Sequence, residues 1–237
     1  MRRALSTFMA VALLVGLGAL AVLALPRGQV ALNPAPVAVA AQAAAAPLVE
    51  AAAPNAAQNY NVIATPLDST QQFASQGLTY DAPGLAGLVG TGVKQVLKWN
   101  APSQTYLVWD AVLQDGDNFA LTTGGVYWLL LDNTASNIVS FVGHVPALGF
   151  VSFSLTRPAG GGCLLNDISI PLDRSHITTP AQLATSVGNV AQVLQWNATT
   201  QTFYVWDVDL NDGDNFAVKI GYPYRLCLKA GGSTTWP

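Results

Sequence analysis

The chain repeats itself. VKQVLKWNAPSQTYLVWDAVLQDGDNFALTTGGVYWLLLD, from Val93, aligns without a gap with VAQVLQWNATTQTFYVWDVDLNDGDNFAVKIGYPYRLCLK, from Val190; 23 of 40 positions are identical at an offset of 97. Upstream, the Asn61…Pro66-Leu67-Asp68 stretch matches Asn166…Pro171-Leu172-Asp173 at an offset of 105, so the first copy carries eight extra residues between Asp68 and Val93. Self-similarity at a fixed offset constrains the fold more than any single motif, because one supersecondary unit must serve both copies.

Each copy reads as mostly strand. VIATPL and DISIPL are short β-rich runs that end near a proline, which suits a strand end. QVLKW and TYLVW flank a five-residue polar turn, a hairpin pattern. After the Asp-Gly-Asp-Asn turn, NFAL and VYWLLL read as another pair around Gly124-Gly125. A short helix is expected in the second copy, with Thr179 as its cap, Pro180 at its first position and Gly188 at its end. The matching stretch from Pro83 is glycine-rich, which weakens a helix. NIVSFVG and FVSFSL read as a hairpin preceding the second copy. The fold expected is mainly β: two tandem homologous β-sandwich or barrel-like modules, with one short helix in at least the second. The boundaries are 59–134 for module 1 and 135–237 for module 2, the latter including the preceding hairpin at 135–162.

The recurring Trp–Asp, Gly-x-Asn-Phe and Gly-x-x-Tyr positions resemble W-[DN]…G-x-N-F…G-x-x-Y β-rich repeat modules of secreted and surface bacterial proteins. The resemblance covers residues 59–230. It implies a location rather than an activity, and no functional residue follows from it.

Residues 1–25 read as a signal peptide or membrane anchor. Two arginines follow Met1, and 4–25 carry no charge, the pattern of a secretory leader. As a helix, those 22 residues span about 33 Å, enough for a bilayer core of roughly 30 Å. Cleavage and retention both remain open. Residues 26–58 are an Ala/Pro-rich spacer in which five prolines block a continuous helix. Beyond residue 27 the charge is 10 − 3 = 7 basic against 13 acidic residues. That balance excludes a phosphate-neutralising nucleic-acid surface.

Aromatics shared by the copies read as framework: Trp99, Trp109, Phe119 and Tyr127 in the first, Trp196, Trp206, Phe216 and Tyr224 in the second. Trp128 faces Arg225 in the alignment, and Trp236 has no counterpart, so these two are the candidate exposed binding residues. Asp207, Asp209, Asn211, Asp212 and Asp214 have the composition of a calcium loop. Their register is wrong, with Gly213 at position seven and Val218 at position twelve, and a strand-connecting turn explains them as well. Cys163 and Cys227 are both missing from the first copy, at Gln58 and Leu130. Their joint absence points to a disulfide, which an exported chain permits.

His144 and His176 do not recur, and no nucleophile elbow, zinc-protease helix or phosphate loop is present. The chain is expected to be no enzyme and to need no cofactor. The expected role is an exported cell-surface or extracellular structural, adhesive or assembly protein, with protein partners or self-association through exposed strand edges. Two alternatives stand: a carbohydrate-binding protein using exposed aromatics, and a membrane-anchored accessory subunit of a larger complex. Membrane contact is expected only through 4–25, if uncleaved.

Overall fold

The computed structural model describes residues 59–132 and 138–237. The leader at 1–25 and the spacer at 26–58 lie outside the described residues. The first module contains β1 (Asn59–Ala64), α1 (Thr70–Ser75), α2 (Ala82–Val89), β2 (Val93–Asn100), β3 (Thr105–Asp110), β4 (Asp115–Gly116) and β5 (Val126–Leu131). After β6 (Phe153–Ser154), the second contains β7 (Leu164–Ser169), α3 (Pro180–Val187), β8 (Val190–Asn197), β9 (Thr202–Asp207), β10 (Asp212–Gly213), β11 (Pro223–Leu228) and β12 (Thr235–Trp236).

Both modules follow one antiparallel topology. The first sheet runs β1-β5-β2-β3-β4 and the second β7-β11-β8-β9-β10. In each, the module's last long strand sits between its first strand and the hairpin. The registers match as well: Tyr60 opposes Leu130, and Leu165 opposes Cys227. A bulge interrupts β2–β5 between Val93 and Gln95, and the equivalent irregularity lies between Cys227 and Leu228. The fold is mainly β and built from two homologous modules.

Period-two alternation assigns the faces. Tyr224, Leu226 and Leu228 of β11 point into the core of the second module, with Leu183 and Val187 of α3. Tyr127, Leu129 and Leu131 of β5 do the same in the first, against Phe73, Leu85 and Val89. The opposite faces meet each other. Trp99 and Tyr106 of the first sheet pack with Leu165 and Cys227 of the second. Each module therefore has its own core between its sheet and its helices, and a smaller cluster joins the two sheets face to face.

The shared motifs have local explanations. Phe119 stacks on Tyr127, and Phe216 on Tyr224, each at 6.1 Å between ring centroids. The Thr122 N–H donates to the Tyr127 hydroxyl and the Lys219 N–H to the Tyr224 hydroxyl, closing the turn before each last strand. Gly116 and Gly213 have φ of 116° and 125°. A Cβ at either would run into the carbonyl of Val108 or Val205, so only glycine serves. Helix α3 forms as expected, with a Thr179–Gln182 capping box, Pro180 in its first turn and Gly188 at its end. Helix α2 forms too, capped by Asp81. Its Gly84 is needed because a Cβ there would overlap the Thr79 carbonyl.

Two expected pairings do not form. The NFAL segment makes only an Ala120–Asp81 bridge, because β5 is already flanked by β1 and β2. Within 135–162, the described residues contain one two-residue strand, β6, and it pairs with β12 rather than with a hairpin partner.

Candidate functional site

The residues shared by both copies build a reciprocal clamp. Trp99 donates its indole N–H to the Leu165 carbonyl at 2.8 Å. Gln104 donates to that same carbonyl at 3.0 Å and accepts the Leu165 N–H at 2.9 Å. In the other direction, Trp196 and Gln201 donate to the Tyr60 carbonyl at 2.9 and 3.0 Å, and Gln201 accepts the Tyr60 N–H at 2.8 Å. Tyr60 and Leu165 are equivalent at the offset of 105, and the clamp residues at 97. Each module thus holds the edge strand of the other with the same two side chains. Gln104 and Gln201 sit at φ 54° and 55° in the β2–β3 and β8–β9 turns, which aims their amides at the neighbouring sheet.

This arrangement covers the expected strand edges in part. The backbones of β1 and β7 are satisfied at Tyr60 and Leu165 by the partner module, and the opposite edges, β4 and β10, are two residues long. Beyond the residues paired with β4 and β10, residues 105–108 of β3 and 202–205 of β9 have no strand on that side among the described residues.

The copies differ where they meet. Val62 opposes Trp128 in the first sheet, and at the equivalent place Asp167 opposes Arg225 in the second. Arg225 binds Asp167 through two hydrogen bonds, at 2.6 and 2.9 Å, and donates to the Tyr106 hydroxyl at 2.7 Å. Trp128 donates its indole N–H to Asp167 at 2.9 Å. The guanidinium carbon lies 4.7 Å from the Trp99 ring, 5.0 Å from Trp128, 5.4 Å from Tyr106 and 5.9 Å from Phe203. Burial opposes the charge of Arg225, but Asp167 and Tyr106 outweigh it and hold its pKa above the ordinary value. The cavity beside the pair measures about 10 Å³, at the lower limit for one water. The interface is a closed joint.

Trp128 and Trp236 were expected to be exposed; they are 6% and 4% exposed. Trp128 is buried because it fills this joint. Trp236 is buried because β12 lays it against Phe153, with its indole N–H on the Ser186 hydroxyl at 3.0 Å. No tryptophan is among the exposed large hydrophobics of the described residues; Trp109, Trp196 and Trp206 are half-buried, and the exposed aromatics are Phe150, Tyr204 and Tyr222.

Cys163 and Cys227 form a disulfide, tying the start of β7 to the neighbouring β11. The acidic turn of module 2 serves its own hairpin. Asp207 accepts the Leu210 N–H, Asp212 the Gly213 N–H and Asp214 the Val205 N–H, while Asp209 pairs with Lys229. Asn211 takes a left-handed turn position, φ 50°. Among the described residues, no group of three or more His, Cys, Asp or Glu is placed to hold a metal ion.

The remaining candidate surface comes from the two segments that the repeat does not share. Helix α1 lies in the eight-residue insertion, and residues 138–150 lie between the modules. They meet. Gln72 of α1 donates to the Ser140 carbonyl and accepts the Val142 N–H, both at 2.8 Å. Asp68 and His144 exchange two backbone hydrogen bonds at 3.0 Å. Gly143 permits that approach, since a Cβ would strike the Asp68 carbonyl. The Gly149 N–H donates to Asp173 at 3.0 Å. The segment held in this way leaves large apolar side chains in solvent: Ile138 at 94%, Leu148 at 86%, and Val142, Val145 and Phe150 at 65% or more. Sequence reasoning missed this face because it read 137–143 and 150–155 as the strands of a hairpin around a turn at 144–149. It missed Gln104 and Gln201 as well, although their identity in two turns that differ at Pro102-Ser103 and Thr199-Thr200 was the available signal. No protein-family model, curated protein or solved structure matches the chain.

Proposed function

We propose that the chain is a non-catalytic exported protein that serves as a structural, adhesive or assembly subunit and binds a protein partner through the apolar face of residues 138–150. One observation carries this reading. The two unduplicated segments converge, and together they hold five large apolar side chains out of the core. Five large apolar side chains exposed within one segment, 138–150, support an interaction site, and the hydrogen bonds at Gln72, Asp68 and Asp173 support a shape formed before a partner arrives. The Cys163–Cys227 disulfide supports an oxidising, extracellular setting.

The test is fractionation of native cells with chemical cross-linking, followed by intact mass with and without reductant. The expected result is an oxidised chain in the surface, membrane or medium fraction. Its cross-links to a protein partner should be lost in Leu148→Ser/Phe150→Ser. A reduced cytosolic chain, or cross-links unchanged in that variant, overturns the reading.

A further inference from the structure

We infer that the inter-module joint is a self-pairing interface which also operates between chains: module 1 of one copy docks on module 2 of another by exchange of modules. The partner is a second copy of this chain. The inference concerns the buried joint rather than the exposed 138–150 face, and it stands apart from the function proposed above.

Three observations carry it. First, the clamp is reciprocal. Trp99 and Gln104 do to Leu165 what Trp196 and Gln201 do to Tyr60, atom for atom. Contacts in which i meets j and j meets i are the signature of a two-fold interface between like units. Second, none of these contacts uses the residues that join the modules; the segment 138–150 bonds separately, to Gln72 and Asp68 of module 1 and Asp173 of module 2, and travels with module 2 in an exchange. Third, the centre is asymmetric. Arg225 with Asp167 on one side meets Trp128 with Val62 on the other. Pairing two second modules would set two buried guanidinium groups against each other. Pairing two first modules would leave the charge-binding cage without its charge. The centre therefore selects unlike pairing, and a mismatch serves as discrimination. Within one chain the tether supplies an effective concentration of the order of millimolar. Exchange therefore competes when the protein folds at comparable concentration or crowds on a surface.

The test uses the full chain with a protease site placed at 133–137. Isotopically heavy and light chains are unfolded with the disulfide intact, mixed and refolded at high concentration, and the dimer fraction is cut and read by native mass spectrometry. Exchange predicts module pairs of mixed label, heavy module 1 with light module 2 and the converse. Same-label pairs only, or the absence of any dimer, overturn the inference, because a dimer made through another face keeps each chain's modules together. A second pair of full chains strengthens the reading. Val62→Asp/Trp128→Arg carries an ion pair on both sides, and Asp167→Val/Arg225→Trp on neither. Mixed before refolding, they are expected to give a one-to-one heterodimer in which each joint regains one ion pair and one Val–Trp pair. If the first variant does not fold alone, its recovery in the mixture is itself the readout, and no recovery counts against exchange.

Discussion

Replacing Arg225 with methionine isolates the energetics of the joint. The substitution keeps most of the aliphatic volume between Trp99 and Trp128 but removes the cation. Asp167, whose side chain is 7% exposed, keeps one donor, the Trp128 indole. Removing one partner of a buried ion pair leaves an uncompensated charge and costs about 3–5 kcal/mol. The exposed pair Lys94–Asp132, at 3.8 Å with both side chains about half in solvent, sets the contrast. Lys94→Met is expected to cost less than about 1 kcal/mol. Asp167→Leu/Arg225→Met removes both charges but leaves the Trp128 indole N–H and the Tyr106 hydroxyl without these partners, so it is expected to recover part of the loss and to stay about 1–3 kcal/mol below the wild type. Urea denaturation followed by tryptophan fluorescence measures all three variants, with the slope checked for constancy. A loss below about 1 kcal/mol for Arg225→Met, or a double variant as unstable as the single one, would refute a closed joint.

Three further outcomes are expected. Gln104→Asn and Gln201→Asn keep a residue tolerant of the left-handed turn but shorten its reach. Each leaves the Leu165 or Tyr60 N–H without its acceptor, while the carbonyl keeps the Trp99 or Trp196 indole, and is expected to cost about 1–3 kcal/mol in urea unfolding; a clear difference between the two sides would contradict a reciprocal clamp. Loss of the Cys163–Cys227 bond, which closes a separation of 64 residues, is expected to lower stability by about 4 kcal/mol in the chain-entropy model, read by denaturation of Cys163→Ser/Cys227→Ser. Burial pushes the Tyr106, Tyr127 and Tyr224 hydroxyls up to about 12. Unfolded phenols release their protons near about pH 10, so the folded state binds these protons more tightly. Their contribution is complete below pH 10 and is lost as pH rises through 12. Tyrosinate absorbance should then appear together with unfolding; ionisation of these residues in a still folded protein would contradict their burial.

The elements legible in the sequence were those written in local chemistry. The β2–β3 and β8–β9 hairpins followed from β-rich runs around polar turns, and α3 from Thr179, Pro180 and Gly188. The disulfide followed from two cysteines missing together from one copy. The repeat itself required one topology to appear twice, and it does. The tertiary structure decided which faces meet. Alternation along β5 and β11 marks two apolar faces, and a period of two cannot say which one packs on its own helix and which on the other sheet. For that reason Trp128 and Arg225, an isolated mismatch in the alignment, became neighbours at the centre of the joint. Trp236 was set by β12 pairing with β6, across a separation that no local signal spans. In the segment 138–150, bonded to Gln72, Asp68 and Asp173, Val139 and Phe141 pack on the core of module 1 while Ile138, Val142, Val145, Leu148 and Phe150 stay in solvent. Local propensity speaks for a residue's own backbone, whereas burial depends on partners that only the packed chain brings together.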